Sequence, residues 1–89
     1  MQTYKFIIKG RVQGVFYRKN IYINATNNNF TGQVKNLSNG DVEVYANLDS
    51  SNFDKFVSIL KQGSPNSKVS SITSSKINTI SFKKFSIVY

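Results

Sequence analysis

The residues of this chain best suited to chemistry lie in one stretch, Gly10-Arg11-Val12-Gln13-Gly14-Val15-Phe16-Tyr17-Arg18. Glycines permit a tight turn in which successive backbone N–H groups converge on one point. A nest of this kind, opening onto a helix N-terminus, is an anion site. Arg18 adds a planar, permanently charged fork that matches two phosphate oxygens. The chemistry implied is a grip on a phosphoryl group. The spacing is not that of a P-loop, because Val15 rather than Lys and Ser/Thr follows Gly14. Two glycines and an arginine also make a plain turn, and residue types alone leave both readings open.

Composition limits what else such a site can contain. The 89 residues include no His and no Cys. The commonest general base and metal ligand is therefore missing. Thiol nucleophiles, disulfides and structural zinc sites are missing with it. Asp41, Glu43, Asp49 and Asp54 are the only carboxylates, too few to suggest a metal site, so neither metal nor cofactor is expected. The chemistry falls to Arg, Lys, Asn, Ser, Thr, Tyr and backbone amides. A net charge of +8 attracts anions. The lysines are spread along the chain, which suits a general basic surface better than a nucleic-acid face. No apolar leader follows Met1 and no stretch is long enough to cross a bilayer. The expectation is a cytoplasmic protein with no membrane and no nucleic-acid partner, active as a monomer.

These groups must be positioned by one domain over 1–89, since a chain this short builds a single modest core. Residues 3–9 alternate as a strand, with Tyr4, Phe6 and Ile8 on one side and Lys5, Ile7 and Lys9 on the other. The spacing of Tyr17, Ile21 and Ala25 predicts a helix over 17–29 that frays at Asn27-Asn28-Asn29. Residues 31–36 and 41–46 read as a hairpin whose tight turn uses Asn39 and Gly40 for positive φ. Phe53, Phe56, Val57 and Leu60 predict a helix over 51–62, capped by Ser51 with Asp54 and ended by Gly63 and Pro65. Residues 68–73 and 85–89 read as strands, and the polar loop 74–81 has room for an extra edge segment. The order βαββαβ is that of a ferredoxin-like split βαβ sandwich, an α+β fold. Its antiparallel sheet carries two helices on one face.

Gly-Arg-Val-Gln-Gly-Val-Phe-Tyr-Arg at 10–18 resembles the signature of the acylphosphatase family. So do Thr31-Gly32-Gln33-Val34-Lys35-Asn36-Leu37-Ser38-Asn39-Gly40-Asp41-Val42-Glu43, Gly63-Ser64-Pro65-Asn66-Ser67-Lys68-Val69 and Phe85-Ser86-Ile87-Val88-Tyr89. The resemblance spans essentially the whole chain. It implies the ferredoxin-like fold and hydrolysis of a carboxyl–phosphate anhydride to carboxylate and inorganic phosphate. It also implies residue roles: Arg18 as the phosphate-binding arginine, Gln13, Gly14, Val15, Phe16 and Tyr17 as an amide cradle, and Asn36 as the holder of the attacking water. Gln33, where the family often has an aromatic residue, and Asn47, where a glycine is common, depart from the pattern. Beyond this role in the cradle, Phe16 and Tyr17 are read as packing residues, and so is Tyr89.

The residue set suits that reaction. A carboxylate whose conjugate acid has a pKa of about 4 leaves without protonation. The phosphoryl transition state asks for positioning and for neutralisation of its equatorial oxygens, which Arg18 and amides supply. Direct attack by water is the remaining route, its proton passing to the substrate's own phosphate oxygen or to solvent. Two other readings keep the fold. An RNA-binding sheet would need aromatics exposed on its central strands, where the hairpin offers Tyr45 alone. A non-catalytic acylphosphatase-like domain, or one opening a larger maturation protein, is the other; the end of the chain just after the closing motif favours a free-standing enzyme.

Overall fold

The computed structural model describes residues 1–89. Strand β1 (Gln2–Arg11) leads through a loop into helix α1 (Tyr17–Asn27). Strands β2 (Thr31–Asn36) and β3 (Val42–Leu48) follow, then a 3-10 turn (Ser50–Asn52) and helix α2 (Phe53–Gln62). Strands β4 (Lys68–Ile77) and β5 (Phe85–Val88) complete the sheet, in the order β4-β1-β3-β2-β5. This is the ferredoxin-like α+β arrangement. β1 pairs antiparallel with β3 and β4, and β2 antiparallel with β3. The fifth strand adds a parallel pairing to β2, with Val34 opposite Ile87.

Alternation decides which face is buried. Phe6 stands opposite Val44, and Val44 opposite Val34, so the three share one face of the sheet. All three are fully buried, within a 17-residue apolar cluster that includes Tyr17, Ile21 and Ala25 of α1 and Phe56, Ile59 and Leu60 of α2. Phe56 is its hub, with ring centroids 5.4 Å from Phe6, 5.2 Å from Phe30 and 6.3 Å from Phe85. Burying one such ring contributes about 1.5–3 kcal/mol. Lys5, Ile7, Glu43, Tyr45 and Lys35 point to the opposite face.

Several boundaries depart from the sequence reading. β4 continues to Ile77 instead of ending at 73, because its register with the long β1 runs on to Thr3 opposite Ile77. Backbone pairing, not the Ser-rich side chains, holds this extension in the sheet. Ser51 does not cap α2. The chain enters through the 3-10 turn, Asn52 takes the N-cap position, and no side chain caps it. Asp54 lies in the first turn, where its charge favours the helix dipole. The 37–41 connection is wider than a two-residue turn. Gly40 alone has positive φ, while Asn39 uses its side chain to accept from the Asp41 N–H. The Asn run does end α1: Asn28 is its C-cap, and Asn29 turns left-handed at φ 62°, a conformation asparagine tolerates.

Candidate active site

The loop between β1 and α1 is built to leave its amides free. Gly14 takes φ 72° and Phe16 takes φ 62°, so the chain turns left-handed twice before the helix begins. The N–H groups of Gly14, Val15 and Phe16 donate to no protein acceptor. Those of Tyr17, Arg18 and Lys19 open a helix, where no intrahelical acceptor exists. No carboxylate lies in the first turn of α1 to offset its positive end. Positive φ at a bulky aromatic is strained. Here Asn20 secures it by donating from its N–H and its side-chain amide to the Phe16 carbonyl, at 3.1 and 2.9 Å.

The rest of the fold holds this loop by three side chains. Ser64, buried after α2, donates its hydroxyl to the Val15 carbonyl at 2.6 Å. Tyr17 is buried and donates its hydroxyl to the Leu60 carbonyl at 2.8 Å. Burial pushes the Tyr17 phenol far above its usual range, so it stays protonated. Gln13 reaches the opposite way. Its side-chain amide donates to the carbonyls of Leu37 and Asp41, both at 2.8 Å. The amide of Gln13 thereby clips the β1–α1 loop to the β2–β3 connection, the segment that begins just after Asn36.

Asn36 ends β2 on the same face as Val34, toward the helices. Its Oδ1 is buried and accepts no hydrogen bond from the protein. A buried acceptor without a partner is costly and marks a place where a donor is expected. Asn36 and Arg18 line one cavity of about 690 Å³, together with Gly14, Phe16, Tyr17 and Lys19. No carboxylate lines the cavity, and Asp41 is paired with Lys9 at 2.7 Å. The cavity lining therefore combines Arg18 and Lys19 with the unpartnered Oδ1 of Asn36, beside the free amides of Gly14 and Phe16.

Of the residues expected at the site, Gly14, Phe16, Tyr17, Arg18 and Asn36 line this cavity, while Gln13 and Val15 do not and instead anchor the loop through their contacts with Leu37, Asp41 and Ser64. Two readings change. Phe16 is no packing residue: it is 75% exposed and forms part of the cavity rim. Tyr89 does not pack into the core either. It is exposed, and the Arg18 guanidinium carbon lies 4.9 Å from its ring centroid, a cation–π contact. Sequence reasoning missed Ser64 and the side chain of Gln13 as supports. Ser64 sits between Gly63 and Pro65, a pair that marks a helix end and carries no sign of the hydroxyl's distant partner. Asn47, a departure from the family pattern, is absorbed structurally. It accepts from Thr3 and donates to the Ile80 carbonyl, fastening the β4–β5 connection to the sheet.

The acylphosphatase family model matches residues 4–87. The chain belongs to the acylphosphatase family. Its activity is that of the family, hydrolysis of an acyl phosphate to a carboxylate and inorganic phosphate. An acylphosphatase of Clostridium beijerinckii is 41% identical over 90 residues, covering 100% of both chains. The crystal structure of the Bacillus subtilis acylphosphatase superposes with a TM-score of 0.92 at 38% identity, again covering 100% of each chain. Full-length HypF, in a phosphate- and nucleotide-bound form, contains a similar fold: TM-score 0.81 and 29% identity, over 99% of this chain and 12% of that one. No helix is long and apolar enough to cross a membrane.

Proposed function

We propose that this acylphosphatase holds the phosphoryl group of its substrate with Arg18 and the amides of the 13–18 loop, and that Asn36 holds the attacking water. The single observation that carries this reading is the partnerless, buried Oδ1 of Asn36 in the same cavity as Arg18. A water that donates one O–H to Oδ1 keeps its lone pairs free to attack phosphorus. The bond formed is water oxygen to phosphorus. The bond broken is phosphorus to the acyl oxygen, which leaves as carboxylate with the electron pair. One proton of the water passes to a phosphate oxygen or to solvent, since the cavity has no side chain suited to take it at neutral pH. Arg18 and the free amides neutralise charge on the equatorial oxygens through the loose transition state. The residues as a whole form one domain, a reading supported by the single sheet and its one core cluster.

An RNA-binding role finds little support on the open face of the sheet. Lys5 and Lys9 there are paired with Glu43 and Asp41, and Tyr45 is the one aromatic, between Lys5 and Gln33.

The test is acetyl phosphate hydrolysis by the parent, Arg18→Lys and Asn36→Ala. Arg18→Lys keeps the charge and loses the fork, so both turnover and inhibition by inorganic phosphate fall steeply. Asn36→Ala lowers kcat by about 10²-fold or more while inorganic phosphate still inhibits. Parent-like kcat in Asn36→Ala sinks its water-holding role, and parent-like kinetics in Arg18→Lys sink the phosphate site.

A further inference from the structure

Six large hydrophobic side chains stand exposed: Met1, Phe16, Tyr22, Ile23, Ile80 and Tyr89. Single exposed apolar residues are ordinary, but a contiguous group marks a binding surface. Phe16, Tyr22, Ile23 and Tyr89 all line the cavity that holds Arg18 and Asn36, and Ile87 of β5 joins them. The core does not account for this grouping. α1 turns Tyr17, Ile21 and Ala25 inward, and the remaining helix is Arg, Lys, Asn and Thr except for Tyr22 and Ile23. These two residues weaken the amphipathic pattern of the helix, and the cavity explains why they are apolar.

Their spacing relates them to the phosphoryl grip. Tyr22 is four residues after Arg18 and Ile23 four after Lys19, so each stands one turn further along the same helix face. Four residues advance the helix by about 6 Å. That is the reach of a medium-length acyl group from a phosphorus held at the helix N-terminus. The cavity, about 690 Å³, falls in the range of small-ligand sites. The strained left-handed Phe16 keeps its ring at the rim, where no packing requires it.

We propose that Tyr22, Ile23 and Phe16, with Ile87 and Tyr89, form the acyl subsite of this enzyme. The subsite selects apolar acyl phosphates of medium chain length over acetyl phosphate. This rests on the placement of the phosphoryl group at Arg18 and the 13–18 loop.

The test uses acetyl, butyryl and hexanoyl phosphates. Alkyl carboxylates differ little in basicity, so the leaving group's reactivity is nearly constant and the chain length varies alone. In the parent, kcat/KM rises roughly tenfold or more from acetyl to hexanoyl phosphate. In Ile23→Ser and in Tyr22→Ser the hexanoyl-to-acetyl ratio falls at least about threefold. Ile80→Ser, at a residue of similar exposure outside the cavity, keeps the parent's ratio. Equal kcat/KM across the series, or an unchanged ratio in both α1 variants, overturns the subsite while leaving the phosphoryl site intact. Absence of turnover on all three substrates overturns the placement of the phosphoryl site, and the subsite with it.

Discussion

Replacing Gln13 by Ala separates positioning from phosphate binding. The Gln13 amide makes two hydrogen bonds at 2.8 Å, to the carbonyls of Leu37 and Asp41. Each contributes about 0.5–1.5 kcal/mol net. The two carbonyls are not orphaned by the change. Leu37 still accepts from the Gly40 N–H at 3.2 Å, and Asp41 from the Leu37 N–H at 2.8 Å. The desolvation penalty is therefore small, and the cost sits near the low end, about 1–2 kcal/mol in total. For a chain of this size that lowers Tm by about 4–16 °C. The kinetic effect is larger than the stability effect suggests. Without the clip, the connection after Asn36 is free to shift against the phosphate loop, and a displacement of about 1 Å costs about 10²-fold in rate. Arg18 and the amides of residues 14–18 are untouched, so inhibition by inorganic phosphate changes less than about threefold. The assay is acetyl phosphate turnover and phosphate inhibition, measured well below the melting temperature found by circular dichroism. A folded variant with the parent's kcat refutes the positioning role. An equal loss in kcat and in phosphate affinity shows that Gln13 shapes the cradle itself.

Gly32→Ala places a Cβ 1.9 Å from the Tyr45 carbonyl oxygen, in the middle of the β2–β3 pairing. Neither backbone can yield, so a loss above about 3 kcal/mol is expected in chemical denaturation. Gly14→Ala meets nothing within 4 Å and bears only its φ of 72°, for about 1–2 kcal/mol. A larger loss at Gly14 than at Gly32 would contradict this ordering. Tyr17→Phe removes the hydroxyl that satisfies the Leu60 carbonyl in the last turn of α2, costing about 1–2 kcal/mol near neutral pH. The pH dependence has a definite sign. The folded Tyr17 pKa is raised above its ordinary value of 10.0, so the folded chain keeps a proton that the unfolded chain loses above that pH. The stability advantage of the parent over Tyr17→Phe is full below pH 10 and shrinks above it, by about 1.4 kcal/mol per pH unit. A constant difference through that range refutes the buried phenol. EDTA leaves acetyl phosphate turnover unchanged, and inhibition would point to a metal-dependent step.

The sequence by itself determined the parts that depend on near neighbours. Alternation put Asn36 on the face of Val34, and therefore toward the helices. Glycine at 14 before an arginine opening a helix marked a turn able to serve as an anion nest, and the apolar period of Phe53, Phe56 and Leu60 announced α2. The absence of His and Cys by itself narrows the chemistry. The extent of β4 was not legible, because its Ser-rich residues pair through backbone groups that every residue carries. Nor was the hand of Phe16, which local preference disfavours and Asn20 secures. The tertiary structure alone decided the contacts between distant segments. Gln13 reaches Leu37 and Asp41 across 24 and 28 positions, and Ser64 reaches Val15 across 49. Tyr89 arrives over Arg18 because β5 runs parallel beside β2. Periodicity carries no record of such pairs. They follow from register and strand order, which the whole core selects together. The fold thus sets a loop whose residue types allow either an anion nest or a plain turn beside the unpartnered Oδ1 of Asn36, the Gln13 clip and an apolar wall.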